Sequence, residues 1–89
     1  MSRRTYRIEF VPSALKAFEA LPRDLQRRLG ARIDALGLDP RPRGAKKLQG
    51  ETRYRIRLAD YRVVYEVRDD VLLVLVVRIA HRRDVYRGL

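Results

Sequence analysis

Arg53-Tyr54-Arg55-Ile56-Arg57-Leu58-Ala59-Asp60-Tyr61-Arg62-Val63-Val64-Tyr65-Glu66-Val67-Arg68 is the stretch on which the fold turns. Its first six residues alternate arginine with an apolar or aromatic side chain, the period of a strand whose pleat sends neighbours to opposite faces. Tyr54, Ile56 and Leu58 then face a core, while Arg53, Arg55 and Arg57 stand together on the other side. Ala59-Asp60 makes the turn. In the returning strand Tyr61, Val63, Tyr65 and Val67 are the buried set, with Arg62, Val64, Glu66 and Arg68 opposite. A hairpin with one apolar and one basic face asks for a covering layer on the apolar side only.

Toward the C-terminus, Asp69-Asp70 reads as a second two-residue turn. Val71 to Ala80 is almost continuously apolar and β-branched, as expected of a strand in the middle of a sheet, covered on both faces. The tail from His81 to Leu89 is polar and basic. Toward the N-terminus, Asp39-Pro40-Arg41-Pro42-Arg43-Gly44 is an ordered connector rather than a domain linker. Tyr6 to Val11 alternates as a half-buried edge strand, and Pro12-Ser13 opens a helix carrying Ala14, Leu15, Phe18 and Leu21 at helical spacing. Pro22 ends that helix. A second follows from Arg23 to Leu36, with Leu25, Leu29, Ile33 and Leu36 on one stripe and Gly37 as its C-terminal cap. The order is β-α-α-β-β-β, an α+β fold: a four-stranded, antiparallel-dominated sheet with an N-terminal helical hairpin on one face. At 89 residues it is one domain, spanning 1–89.

Composition narrows the partner. The chain has 21 Lys and Arg against 11 Asp and Glu, a formal charge of +10, and eighteen of the cations are arginine. A field of that sign on so small a body attracts polyanions, and arginine favours planar, bidentate phosphate contacts. Nine cations face three acids between residues 41 and 68, which opposes folding unless an anion binds there; a simply solvated polar face is the other reading. With no cysteine and one histidine, disulfides, thiolate catalysis and Cys or His zinc sites are excluded. Nucleotide, metalloprotease and calcium motifs are missing, and Asp60, Asp69 and Asp70 sit in turns, so no metal and no cofactor is expected. The N-terminus lacks a signal-peptide apolar stretch, and the longest apolar run, Val71 to Val77, is too short to cross a bilayer, giving a cytoplasmic expectation without membrane association.

The closing His81-Arg82-Arg83-Asp84-Val85-Tyr86 follows the central strand and adds donors of other kinds. Tyr86 offers a ring to stack on a base or a hydroxyl to orient a phosphate, or else anchors the tail to the core. His81 can exchange protons near neutral pH or serve only structurally.

Taken in order, the first strand running into Ala14-Leu15-Lys16, Leu21-Pro22, Pro40-Arg41-Pro42, Lys47-Leu48-Gln49-Gly50, Tyr54-Arg55-Ile56-Arg57, Asp60-Tyr61-Arg62-Val63-Val64-Tyr65 and His81-Arg82-Arg83-Asp84-Val85-Tyr86 resemble the RelE/ParE superfamily of type II toxin-antitoxin toxins, RelE-like branch. The resemblance covers nearly the whole chain. It implies a microbial RNase-like RelE fold and a metal-independent endoribonuclease that cuts mRNA in the ribosomal A site and stops translation. In that chemistry the ribose 2′-hydroxyl attacks the adjacent phosphate, the 5′-hydroxyl leaves and a 2′,3′-cyclic phosphate remains. By position, the family's paired basic residues fall on Arg55 and Arg57, its third-strand arginine on Arg62, its C-terminal arginine on Arg82 and its terminal tyrosine on Tyr86. Lys46, Lys47, Arg53, Arg68 and Arg83 are the surrounding RNA-binding candidates. The best-known family pattern has lysines at the paired positions, one of them the general base. Arginines cannot take that part, so Arg55 and Arg57 act electrostatically or His81 transfers the proton. Ala59 and Ala80 stand where glycine is common, which matters only if those positions need positive φ. The implied partners are mRNA, the ribosome and a cognate RelB-like antitoxin in a hetero-oligomer, with the apolar outer face of the helical hairpin as docking ground. A ParE-like inhibitor of DNA gyrase without nuclease activity is the alternative within the superfamily.

Overall fold

The computed structural model describes residues 5–48 and 52–81. Strand β1 (Arg7–Phe10) leads into helices α1 (Pro12–Glu19) and α2 (Arg23–Ala35), and strands β2 (Lys46–Lys47), β3 (Arg53–Leu58), β4 (Tyr61–Arg68) and β5 (Leu73–His81) follow. The helical hairpin, β3 and β4 stand where the sequence puts them. The sheet has five strands rather than four, in the order β1-β5-β4-β3-β2, because Lys46 and Lys47 pair with Arg55 and Tyr54. β1 is an edge strand and runs parallel to β5, whereas the other pairings are antiparallel.

One face of the sheet meets the helices. Ala14 of α1 and Leu29 and Ile33 of α2 share a buried cluster with Leu36, Ile56, Val63, Tyr65, Val67, Val74, Val76 and Ile79. Phe10 and Phe18 tie β1 to α1, with ring centroids 5.5 Å apart. Gly37 directly follows the C-cap Leu36 at the end of α2, without positive φ. A Cβ there would stand 3.0 Å from the Tyr6 carbonyl oxygen and 3.2 Å from that of Asp34. The Tyr6 amide donates to the Gly37 carbonyl at 2.7 Å, so glycine is needed for the close approach of the α2 exit to β1.

One turn departs from the sequence reading, and the other stands where expected but with strained backbone. The β4–β5 connection is Asp69 to Leu72 rather than a two-residue turn, with Leu72 at φ 50° and its amide donating to Asp69 O. Ala59, first of the two residues joining β3 and β4, has φ 53°. That is the position at which a type II′ hairpin turn ordinarily carries glycine. Ala80 lies within β5, outside any turn.

The connector after α2 is held from inside. Tyr65 is fully buried, stacks on Tyr54 at 6.0 Å, and donates its hydroxyl proton to Pro40 O at 2.7 Å. Burial, and then the neighbouring Tyr54, pushes the Tyr65 phenol up to about 12.

Ala59→Gly relieves the left-handed strain while giving back part of the gain as unfolded-chain entropy, so it raises stability by about 0.5–1 kcal/mol. A urea midpoint that moves up at unchanged slope checks this. Tyr65→Phe lowers stability by about 1 kcal/mol at neutral pH by leaving the Pro40 carbonyl without its donor. Because the folded value of this phenol lies above the ordinary 10.0, its stabilisation is complete below that pH and lost as pH rises toward about 12. The phenylalanine variant therefore shows a shallower alkaline decline in melting temperature.

Candidate functional site

The face of the sheet turned away from the helices holds the basic side chains, in cross-strand rows fixed by register. Arg57 stands directly opposite Arg62, and Arg62 is opposite Ala80. The adjacent row runs Lys46, Arg55, Val64, Arg78. These two rows contain five cations and no carboxylate. Direct opposition of like charges destabilises a sheet, and here it occurs at the Arg57–Arg62 pair with further cations alongside.

Arg78 was not among the residues that sequence reasoning assigned to this face. In register, Tyr65 pairs with Val76 but Val64 pairs with Arg78, so Val77 is an extra residue, a β-bulge. Val74 and Val76 face the helices. Continued with period two, that pattern would have buried Arg78 and exposed Ile79. The bulge reverses the phase, sending Ile79 into the core and Arg78 to the open face. The one signal in the sequence is a charged residue in phase with two buried valines.

Lys46 and Arg57 are exposed, whereas the other three cations are held close to the sheet. Arg55 is only 8% exposed, and the Nε atoms of Arg55, Arg62 and Arg78 are buried. Val64 is 3% exposed yet lies outside the helix-side core, with Arg55 and Arg78 as its cross-strand neighbours. Such stems lie on apolar surface while the charged head is presented at a defined place. A rigid strand is a better support for an anion clamp than a loop. Chemically, guanidinium groups at this spacing can hold a phosphodiester and stabilise charge that builds on it.

Other predicted residues take different positions. Arg53 and Arg68 share the open face but both bind Glu66. Lys47 pairs with Tyr54, on the row of the helix-side face, so the two neighbouring lysines are divided between faces. His81 is not brought to the arginine rows. It pairs with Tyr61, meets that ring edge-on at 5.5 Å, and lines a shallow helix-side cleft with Ala17, Ala20 and Leu21. Arg82, Arg83 and Tyr86 lie outside the described residues.

Arg41, one of the nine cations between 41 and 68, is engaged within the fold. Its Nη1 and Nη2 donate to Asp69 at 3.2 and 2.8 Å, its Nε donates to the Tyr54 hydroxyl at 2.9 Å, and the guanidinium lies 5.2 Å from the Tyr54 ring centre. Asp69 also accepts from the Tyr6 hydroxyl. The connector, β3, the β4–β5 turn and the approach to β1 are thereby joined at one guanidinium. No group of three or more His, Cys, Asp and Glu side chains among the described residues is arranged to hold a metal ion. No helix among them is long and apolar enough to cross a membrane.

Comparison with known proteins agrees with the architecture. Residues 8–86 match the model of a family described as the ParE toxin of the type II toxin-antitoxin system parDE. Among solved structures, the chain is similar to a chain of the archaeal RelE-RelB complex from Pyrococcus horikoshii OT3, with 30% identity, 90% of this chain and 98% of that one covered, and a TM-score of 0.77. It is also similar to a chain of the intact E. coli RelBE toxin-antitoxin complex, at 29% identity over 85% of this chain and 95% of that one, TM-score 0.77. The isolated E. coli RelE toxin aligns at 27% identity over 85% and 83% of the two chains, TM-score 0.78. The search of curated proteins gave no match.

Arg41→Ala separates internal from external use of charge. It removes a partly exposed bidentate ion pair and a ring contact, lowering stability by roughly 1–2 kcal/mol. Affinity for a single-stranded RNA oligonucleotide stays within twofold of wild type, measured by fluorescence anisotropy under conditions where both proteins are folded.

Proposed function

The chain belongs to the ParE toxin family of type II toxin-antitoxin systems and is RelE-like in structure, and we propose that it is a metal-independent endoribonuclease that cleaves mRNA in the ribosomal A site. The observation that carries this reading is the gathering of cations on one sheet face, with Arg57 facing Arg62 and with Lys46, Arg55 and Arg78 in the adjacent row. A binding surface for a neutral ligand gains nothing from that concentration of guanidinium, whereas a phosphodiester neutralises it.

In the proposed reaction the 2′-oxygen forms a bond to the adjacent phosphorus, its proton passing to solvent or to a ribosomal or RNA group. The bond from phosphorus to the 5′-oxygen breaks, that oxygen takes up a proton, and a 2′,3′-cyclic phosphate remains. Arg62 clamps the non-bridging oxygens as negative charge builds on the five-coordinate phosphorus. Arg55 and Arg57 lower the cost of an ionised 2′-hydroxyl, since guanidinium stays charged throughout and cannot act as a base. Arg82 stabilises the leaving oxygen, and Tyr86 stacks on the neighbouring base to hold the backbone in line. Arg78, with Lys46 and Arg83, secures the flanking phosphates, while Lys47, on the other face of the sheet, does not. His81, which packs against Tyr61, has a structural part. The partner is a RelB-like antitoxin, as in the complexes to which this chain is similar, and an acidic or amphipathic segment suits a surface of this charge.

The matched family is named for ParE, which favours gyrase inhibition as the second reading. One experiment separates the two. Purified wild type and variants are added to a translating extract, and 5′ ends are mapped on a reporter mRNA. Wild type cuts at defined codon positions only during translation. Arg62→Ala cuts at least 100-fold more slowly, Arg57→Ala and Arg78→Ala about 10-fold more slowly, and His81→Ala within threefold of wild type. Intact mRNA with folded wild-type protein, together with inhibition of DNA supercoiling, would sink the nuclease reading in favour of the second.

A further inference from the structure

Strand β2 is two residues long and lies at an edge of the sheet, so its own ladder does little to fix its register. Leu48 N donates to Arg53 O at 2.9 Å and extends the pairing by one residue. Because side chains alternate along a strand, a slip of one residue would exchange the faces of Lys46 and Lys47. In the register observed, Lys46 is exposed and stands opposite Arg55. That makes it a diagonal neighbour of Arg57, two residues further along β3 and also exposed, at a separation that long side chains span. What fixes the place of Lys46 is the chain that leads into β2.

That chain is held at two points. Pro40 is buried, and its carbonyl oxygen accepts the hydroxyl of the fully buried Tyr65 at 2.7 Å. Further along, Ala45 N donates to Pro42 O at 3.0 Å across a turn whose third residue, Gly44, has φ 97°. Positive φ at that place marks a type II turn, which glycine or asparagine takes and other residues resist. A Cβ at Gly44 would meet nothing within 4 Å, so glycine serves the path of the backbone there and not a close contact. β2 begins directly after this turn. Arg41 also ties the connector, to Asp69 and Tyr54, but through a partly exposed side chain whose partners water can replace. The carbonyl of a buried residue that loses its donor must move to find another, and β2 moves with it. We propose that Tyr65 and Gly44 are positioning residues for Lys46: the first anchors the connector and the second turns it, so that the Lys46 ammonium meets a backbone phosphate beside Arg57. The proposal rests on the reading of the open face as a polyanion site, and adds how the cation at its β2 edge is put in place.

Salt dependence reads the number of phosphates neutralised, which a loss of stability alone does not alter in a protein that is still folded. The probe is a fluorescein-labelled single-stranded oligoribonucleotide with 2′-O-methyl riboses, which cannot be cut by 2′-hydroxyl attack. Lys46→Gln makes the slope of log affinity against log salt shallower by about 0.7, the value of one phosphate on a single strand, whereas Lys47→Gln leaves it where it was. Tyr65→Phe and Gly44→Ala each flatten the slope by the same amount, and neither flattens it further when combined with Lys46→Gln. Gly44→Ala decides the matter if Tyr65→Phe does not fold, since the glycine lies in an exposed turn. A wild-type slope in folded Tyr65→Phe or Gly44→Ala, or equal flattening by them with and without Lys46, overturns the positioning. An unmoved slope in Lys46→Gln overturns the phosphate contact that the positioning serves. Wild type without salt-dependent binding overturns the polyanion site beneath both.

Discussion

One unpaired residue in the central strand sets the character of both faces of this sheet. With Val77 set aside as a bulge, β5 changes phase between Val76 and Arg78. Its first half delivers Val74 and Val76 to the helices, and its second half delivers Ile79 to the same side. Without that change the strand could satisfy only one half. Either Val74 and Val76 would leave the core, or Ile79 would face solvent while Arg78 brought an uncompensated guanidinium into it, at a penalty of several kcal/mol. Bulges also sharpen the local twist, and this one lies beside the two rows of cations. The same device that completes the core therefore completes the cluster of cations on the open face.

Charge on this chain has three uses that composition cannot distinguish. Arg41 joins four segments of the fold through Asp69 and Tyr54. Arg53 and Arg68 are matched to Glu66. Arg55, Arg57, Arg62 and Arg78 stand together in two neighbouring rows of the open face. A count of nine cations against three acids between residues 41 and 68 treats the first two groups and most of the third alike, and leaves Arg78 out altogether. The difference in place follows from register rather than from sequence distance: Arg53 and Arg55 are two residues apart in one strand, yet Arg53 lies across from Glu66 and Arg55 across from Val64.

The legible parts of the fold were those with a clean local period. Alternation in β3 and β4 gave both faces correctly because each strand has one wet side, and the helical stripes gave Leu29, Ile33 and Leu36. The rest needed information that no local window contains. β2 is two residues long, too short for a period, and exists because Lys46 and Lys47 meet β3. The parallel pairing of β1 with β5 is a property of chain topology. The apolar run from Val71 has no visible phase, so its bulge, and with it Arg78, was hidden. Positive φ at Ala59 and Leu72 runs against residue preference and leaves no mark in composition. His81 was grouped with the tail because it adjoins Arg82 in sequence, but it is the last residue of β5 and falls with Tyr61.

The absence of a base among the arginines is consistent with chemistry in which the protein supplies charge and alignment. A guanidinium cannot accept the 2′-hydroxyl proton, but several of them at fixed positions lower the energy of the alkoxide and of the phosphorane together. Their effectiveness depends on being held in place before the substrate arrives, since flexible cations would have to be ordered during the reaction. The buried Nε atoms of Arg55, Arg62 and Arg78 meet that requirement: each stem is fixed against the sheet and only the far end of the guanidinium is presented. Lysine at these positions would offer a titratable amine on a flexible stem; arginine gives up the titration and gains a planar, oriented donor set. A site of this kind is slow on free RNA, whose backbone samples many geometries, and fast where another surface holds the strand in line for attack. In the proposed reaction the ribosome is the surface that provides this alignment.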